Sequence, residues 1–158
     1  MVVEEALNDF DTMREREGEK LCADVLSRLG TIDGYVSRVE QEAPLTVERY
    51  RQRLEKKMAE VLSTTGIETD RILAEAAIYA DHIAVDEETV RLRSHMAQLD
   101  RMIRGVSPIG RKIDFLIQEM NREINTMGSK VNDAEFRWLV VEAKTCIERM
   151  REQIQNVE

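Results

Sequence analysis

Phe136, Val140, Ala143, Ile147, Met150, Ile154 and Val157 follow one another in alternating steps of four and three residues. That spacing marks one face of an α-helix, and it runs long enough to pack along a second helix. The same steps recur upstream. Leu21, Val25, Leu29, Ile32, Val36 and Val39 form one stripe, and Ile113, Ile117, Met120, Ile124 and Met127 form another. Seven glycines and two prolines interrupt 158 residues, and aromatics make up 4%. A composition so poor in β-branched and aromatic runs does not build sheets. The expected fold is all-α: an elongated helical bundle of about five or six helices, in a single domain over residues 1–158.

The punctuation sets the expected helix ends. A long first helix spans about residues 4–42, weakened by Gly18, Gly30 and Gly34 and ended by Pro44. Thr46 caps a second helix, whose stripe is Tyr50, Leu54, Met58 and Val61. After a break over residues 63–66, a third helix covers 69–82. A fourth runs from Asp86, as N-cap, to Ile103, and Gly105 stops it. Ser107 and Pro108 open the next helix, and the last one starts near Asp133. The first and last helices are expected to pack antiparallel, because both are long and both carry a continuous stripe.

Charge narrows the function classes. The net charge of −8 argues against a general nucleic-acid binder, but the charges are unevenly placed. From Met1 to Asp24 there are eight acidic and three basic residues. From Arg91 to Lys112 there are six basic residues against one acidic. A local basic surface is compatible with that run. The start of the chain lacks the basic and apolar regions of a signal peptide, and apolar runs are too short to cross a membrane. Cys22 and Cys146 lack metal-type spacing and read as reduced thiols of a cytoplasmic protein. There is no glycine-rich phosphate loop, GxSxG or CxxC.

Two stretches concentrate chemistry. In Gly110–Lys130, Glu119 and Glu123 lie one turn apart beside the apolar stripe, with Lys130 on the same side. Gln118, Arg122, Asn125 and Ser129 fall on the other side. Carboxylates half-buried at a core edge need a cation, an arginine or a shared proton. Glu88, Arg91 and His95 share one face of the preceding helix. Carboxylates with an imidazole in a helical bundle suit Mn²⁺ or Mg²⁺. The plainer alternative is that Glu119 and Glu123 pair with Arg or Lys on a neighbouring helix.

The runs "EAAIYADHIAVDEETVRLRSHM", "GRKIDFLIQEMNREINTMGSK" and "IERMREQIQNVE" resemble the C-terminal half of the YicC/YloC family of bacterial endoribonucleases. "MREREGEKLCADVLSRL" and "YRQRL" also fit the family's central region, so the resemblance covers nearly the whole chain. Full-length members carry an additional N-terminal half, and the chain is expected to be a fragment with reduced or no RNA capture. The resemblance implies metal-dependent cleavage of RNA by a ring-like hexamer, with no small-molecule cofactor and no membrane association.

It also supports a site on the two motif helices. The expected metal ligands and catalytic residues are His95, Glu119 and Glu123, with Glu88 as a further ligand or a partner to one. The ion would polarise a phosphodiester oxygen and activate a bound water. Arg91, Arg111, Lys112, Arg122 and Lys130 would hold phosphates, and Asn125 and Gln118 would orient ligands or contact ribose. No role is carried onto His82, where many relatives have a basic residue. His95 lies roughly 15 Å before the connecting turn and Glu119 roughly 17 Å after it, so antiparallel packing brings them level. The rival reading is a non-enzymatic helical oligomerisation module. Either way the stripes exceed what one monomer easily buries, and a homo-oligomer is expected.

Overall fold

The computed structural model describes residues 2–61, 69–105, 110–131 and 133–155. They form helices α1 (Val2–Val61), α2 (Thr69–His82), α3 (Asp86–Ile103), α4 (Gly110–Lys130) and α5 (Ala134–Gln155). No strand occurs among the described residues, so the all-α class holds. The expected break at 63–66, the Ser107-Pro108 helix start, Val157 and the Arg111 side chain lie outside the described residues.

The helix count is corrected at Pro44. Residues 4–42 and 46–61 were expected as two helices and form one, with Pro44 inside it. Proline removes one backbone hydrogen bond and crowds the preceding turn, at a cost of about 3 kcal/mol. Contacts on both sides oppose that cost. Val39 and Thr46 are buried. Thr46 is no cap: its Oγ1 accepts from Arg49 Nη2 at 3.1 Å. Arg49 also reaches Glu42 at 3.2 Å and Asp133 at 3.3 Å, tying this part of α1 to the start of α5. One turn on, Tyr50 stacks on Tyr79 of α2 with centroids 3.9 Å apart.

Four helices close a ring in the order α1, α3, α4, α5, each packed on the next. Side-chain contacts show every neighbour to be antiparallel. Between α1 and α5, Cys146 Sγ donates to the Arg28 carbonyl, Tyr35 meets Trp138 edge-on at 6.3 Å, and Arg49 meets Asp133. Between α1 and α3, Cys22 approaches the Ile103 carbonyl, while Arg93 reaches Asp33, Ser37 and Glu40. Hydrogen bonds to Asp33 and Glu40 raise the Arg93 guanidinium pKa above its ordinary value. Between α4 and α5, Asn121 meets Glu148 and Asn125 meets Lys144.

The stripes fill the centre. Val25, Leu29, Ile32, Val36 and Val39 of α1 are buried, as are Ile113, Ile117, Met120, Ile124 and Met127 of α4. From α5 come Phe136, Leu139, Val140, Ala143, Ile147 and Met150. Each fully buried side chain of this size contributes roughly 1.5–3 kcal/mol. Residues 3–20 of α1 run beyond this core and are exposed throughout, including Val3, Leu7, Phe10 and Met13. Among the described residues, no helix is long and apolar enough to cross a membrane.

α5 begins as its sequence dictates, with Asp133 Oδ1 accepting from the Glu135 and Phe136 amides at 3.1 and 3.3 Å. α3 differs from expectation. Asp86 lies in its first turn, and the residue before it, Val85, makes no side-chain cap. Acidic Asp86, Glu87 and Glu88 nevertheless sit where the helix dipole favours them.

Candidate functional site

The facing flanks of α3 and α4 bring several of the singled-out residues together. Glu88, in the first turn of α3, is 6% exposed. Lys130, in the last turn of α4, donates to both Glu88 carboxylate oxygens at 2.8 Å and to the Ala84 carbonyl at 2.7 Å. All three ammonium donors are thereby used. Each charge also sits at the helix end whose dipole stabilises it.

Two turns along α4 lies Glu123, 5% exposed. Arg91 Nη1 stands 3.9 Å from its Oε1, too far for a hydrogen bond, and the same guanidinium pairs with Glu87 on its own helix. Glu123 is therefore a buried carboxylate held loosely, whereas Glu88 is held tightly. Glu119 is paired along α4 with exposed Arg122, at 3.0 Å. One turn beyond the Arg91–Glu123 contact, the antiparallel register sets His95 level with Glu119. His95 is half-buried, and its Nδ1 is buried without a hydrogen-bond partner.

These residues line one flank but do not close on one point. Among the described residues, no group of three or more His, Cys, Asp or Glu is placed to hold a metal ion. Glu88, Glu119 and Glu123 each face a cation instead, Lys130, Arg122 and Arg91 respectively. As placed, each carboxylate is answered by a cation that a divalent ion would have to displace. The pairing of carboxylates with basic side chains, weighed from the sequence as the plainer alternative, describes this arrangement.

The basic run over residues 91–112 is largely answered within the bundle. Arg91 pairs with Glu87, Arg93 with Asp33 and Glu40, and Arg104 with Asp100. Lys112 is exposed, and neither it nor Arg101 pairs with a carboxylate among the described residues. Asn125 faces away from this flank, accepting from Lys144 of α5 at 2.9 Å. Reading the sequence missed Asn121 and Arg151, which meet Glu148 between α4 and α5. Asn121 lies on the polar side of α4 with Gln118 and Asn125, a pattern visible in the sequence, but nothing local revealed that α5 covers it.

Residues 39–158 match the family described as endoribonuclease YicC-like, C-terminal. The chain belongs to the YicC-like family. It is 45% identical over 157 residues to a probable endoribonuclease YicC of Clostridioides difficile (strain 630), a match covering 99% of this chain and 54% of that protein. It is 37% identical over 155 residues to a probable endoribonuclease YicC of Haemophilus influenzae, covering 98% and 53%. The chain thus spans about half the length of the curated YicC relatives it matches.

Proposed function

We propose that this chain carries the cleavage site of an endoribonuclease, on the flank shared by α3 and α4. The observation that carries the reading is Glu123: a carboxylate 5% exposed, yet met only by a 3.9 Å ion pair among the described residues. A carboxylate that no donor engages keeps its lone pairs free to take a proton from a water beside it. In this reading Glu123 takes a proton from the water that attacks phosphorus, and the P–O bond to the leaving ribose breaks. His95 returns a proton to the leaving oxygen. Arg91 and Lys130 offset the extra negative charge on the phosphoryl oxygens, and Arg122 and Lys112 attract the RNA strand. Glu88 holds Lys130 in place.

Dependence on Mn²⁺ or Mg²⁺ is part of the proposal and rests on the acidic residues with His95. It requires Lys130, Arg122 and Arg91 to yield Glu88, Glu119 and Glu123, while the proton and phosphate handling above uses the chain's own groups. The rest of the relatives' length is proposed to supply RNA capture, so this chain alone should cleave more weakly than a full-length relative. Assembly into homo-oligomers is also proposed. The test is cleavage of a labelled single-stranded RNA by this chain and by a full-length relative, with Mn²⁺ and with EDTA. Glu123→Gln should lower cleavage at least about a hundredfold, the usual scale for a general base, while helical circular dichroism is retained. Cleavage at the parent rate in both Glu123→Gln and His95→Ala would remove the proposed site.

A second reading is supported by the exposed Val3, Leu7, Phe10 and Met13 on the projecting part of α1. It makes the chain a non-enzymatic helical oligomerisation module. That reading is favoured if no cleavage occurs with any divalent ion while light scattering reports an oligomer.

A further inference from the structure

The proposed chemistry uses one flank of α4, and the opposite flank is built differently. An open cleft of about 480 Å³ lies between α4 and α5, lined by Gln118, Asn121, Arg122, Asn125 and Ser129 and by Arg151 of α5. That size falls within the range of small-ligand sites. The lining contains neither an apolar side chain nor a carboxylate. Polar groups between packed helices are normally satisfied by each other. Here two are not: Asn121 Oδ1 and Arg151 Nε are buried and have no hydrogen-bond partner.

One carboxylate orients the amide and stands near the guanidinium. Glu148 Oε1 accepts from Asn121 Nδ2 at 2.8 Å, and Glu148 Oε2 lies 3.9 Å from Arg151 Nη1. The amide is held with its oxygen unused, and the guanidinium makes no hydrogen bond among the described residues. Lys144 fixes Asn125 by its oxygen, leaving the Asn125 NH₂ to donate. The Ser129 hydroxyl gives its proton to the Thr126 carbonyl and keeps its lone pairs. Gln118 makes no side-chain hydrogen bond among the described residues. The cleft therefore offers acceptors beside donors, together with two guanidinium groups.

The Watson–Crick edge of every nucleobase carries a donor beside an acceptor, and amide side chains match such pairs of groups. Guanidinium planes stack on bases and also pair with phosphates. We propose that the α4–α5 cleft binds an unpaired nucleotide of the RNA substrate, with exposed Gln118 and Asn125 and the outer N–H groups of Arg151 contacting the base and Arg122 the adjoining phosphate. This rests on the RNA-cleaving reading of the α3–α4 flank. With a helix about 10–12 Å across, one strand laid over α4 reaches both flanks. A base must be unpaired to enter, so the cleft selects single strands or loops over duplex.

The test uses the purified chain and a full-length relative carrying the matching substitutions, a fluorescein-labelled single-stranded oligoribonucleotide and the same sequence annealed to its complement, read by anisotropy. Gln118→Ala should weaken single-strand binding roughly five- to tenfold, the scale of one or two hydrogen bonds, without changing the salt dependence. Arg122→Gln should weaken it and also flatten that dependence. A 4-thiouridine oligonucleotide should cross-link to residues 118–129 and to the region of Arg151. Unchanged binding in Gln118→Ala, equal affinity for the duplex, or cross-links confined to other segments would each overturn the cleft. If Glu123→Gln still loses cleavage in those cases, the RNA-cleaving reading survives alone. If a full-length relative cleaves no RNA, that reading fails whatever the cleft binds.

Discussion

The two flanks of α4 solve opposite problems. Toward α3, charges are buried and neutralised across the interface: Glu88 by Lys130, and Glu123 less closely by Arg91. Toward α5, the polar groups are mostly neutral amides and hydroxyls, joined by Glu148, Lys144 and two arginines, and two buried polar atoms stay unmatched. Charge burial is costly, so the buried carboxylates of the first flank are answered by cations within the chain, although His95 Nδ1 there is unmatched too. Neutral polar groups cost less to leave open, so the second flank can remain unfinished and still fold. The first flank therefore suits chemistry on a fixed set of charges, and the second suits recognition of something that supplies the missing partners.

The largest expected stability effect tests that contrast directly. Lys130→Ala should cost about 2–3 kcal/mol in urea unfolding, because it strands a buried Glu88 carboxylate, with some relief from the partial exposure of Lys130. Adding Glu88→Gln should recover much of the loss. A cost below about 0.5 kcal/mol would mean the α3 flank behaves as a solvated surface, and the contrast would fall.

Asn121→Ala should cost about 1 kcal/mol, the value of one neutral-to-charged hydrogen bond with Glu148 set against relief of the unmatched Oδ1. A cost as large as that of Lys130→Ala would make the two flanks equivalent.

The closeness of α4 to α5 can be sharpened with glycine. A Cβ on Gly128 would meet Val140 Cγ1 at 3.0 Å, whereas one on Gly34 would meet nothing within 4 Å. Gly34→Ala should stabilise by about 0.5–1 kcal/mol through helix propensity. Gly128→Ala should gain little or lose stability, as Val140 is pushed aside. Equal gains at both sites would mean that α5 yields freely. The smallest effect is expected at Arg122→Ala, within about 0.5 kcal/mol for an exposed pair with Glu119, although single-stranded RNA binding should fall measurably.

The core stripes of α1, α4 and α5 were legible, because helical periodicity is a local property: residues three and four apart share a face whatever surrounds them. The stripe of α3, Leu92, Met96 and Leu99, had not been singled out. The ends of α2 and α3 and the start of α5 were legible for the same reason, since caps and stops act within a turn. Local rules failed at Pro44. The loss of one hydrogen bond there is outweighed by contacts of Arg49 with Asp133 at the start of α5 and of Tyr50 with Tyr79 of α2, so α1 runs on to Val61.

The candidate site divides along the same line. The sequence alone placed Glu119 and Glu123 on one side of α4 and Asn125 on the other, and it set Glu88, Arg91 and His95 on one face of the preceding helix. Which cation answers which carboxylate was decided by the antiparallel register of α3 and α4. Whether Asn121 would find a partner was decided by the approach of α5. Those outcomes depend on groups far apart in the chain, and an ion pair or a hydrogen bond forms within a few ångströms or not at all. Periodicity names the face of a helix, and only packing determines what stands opposite it.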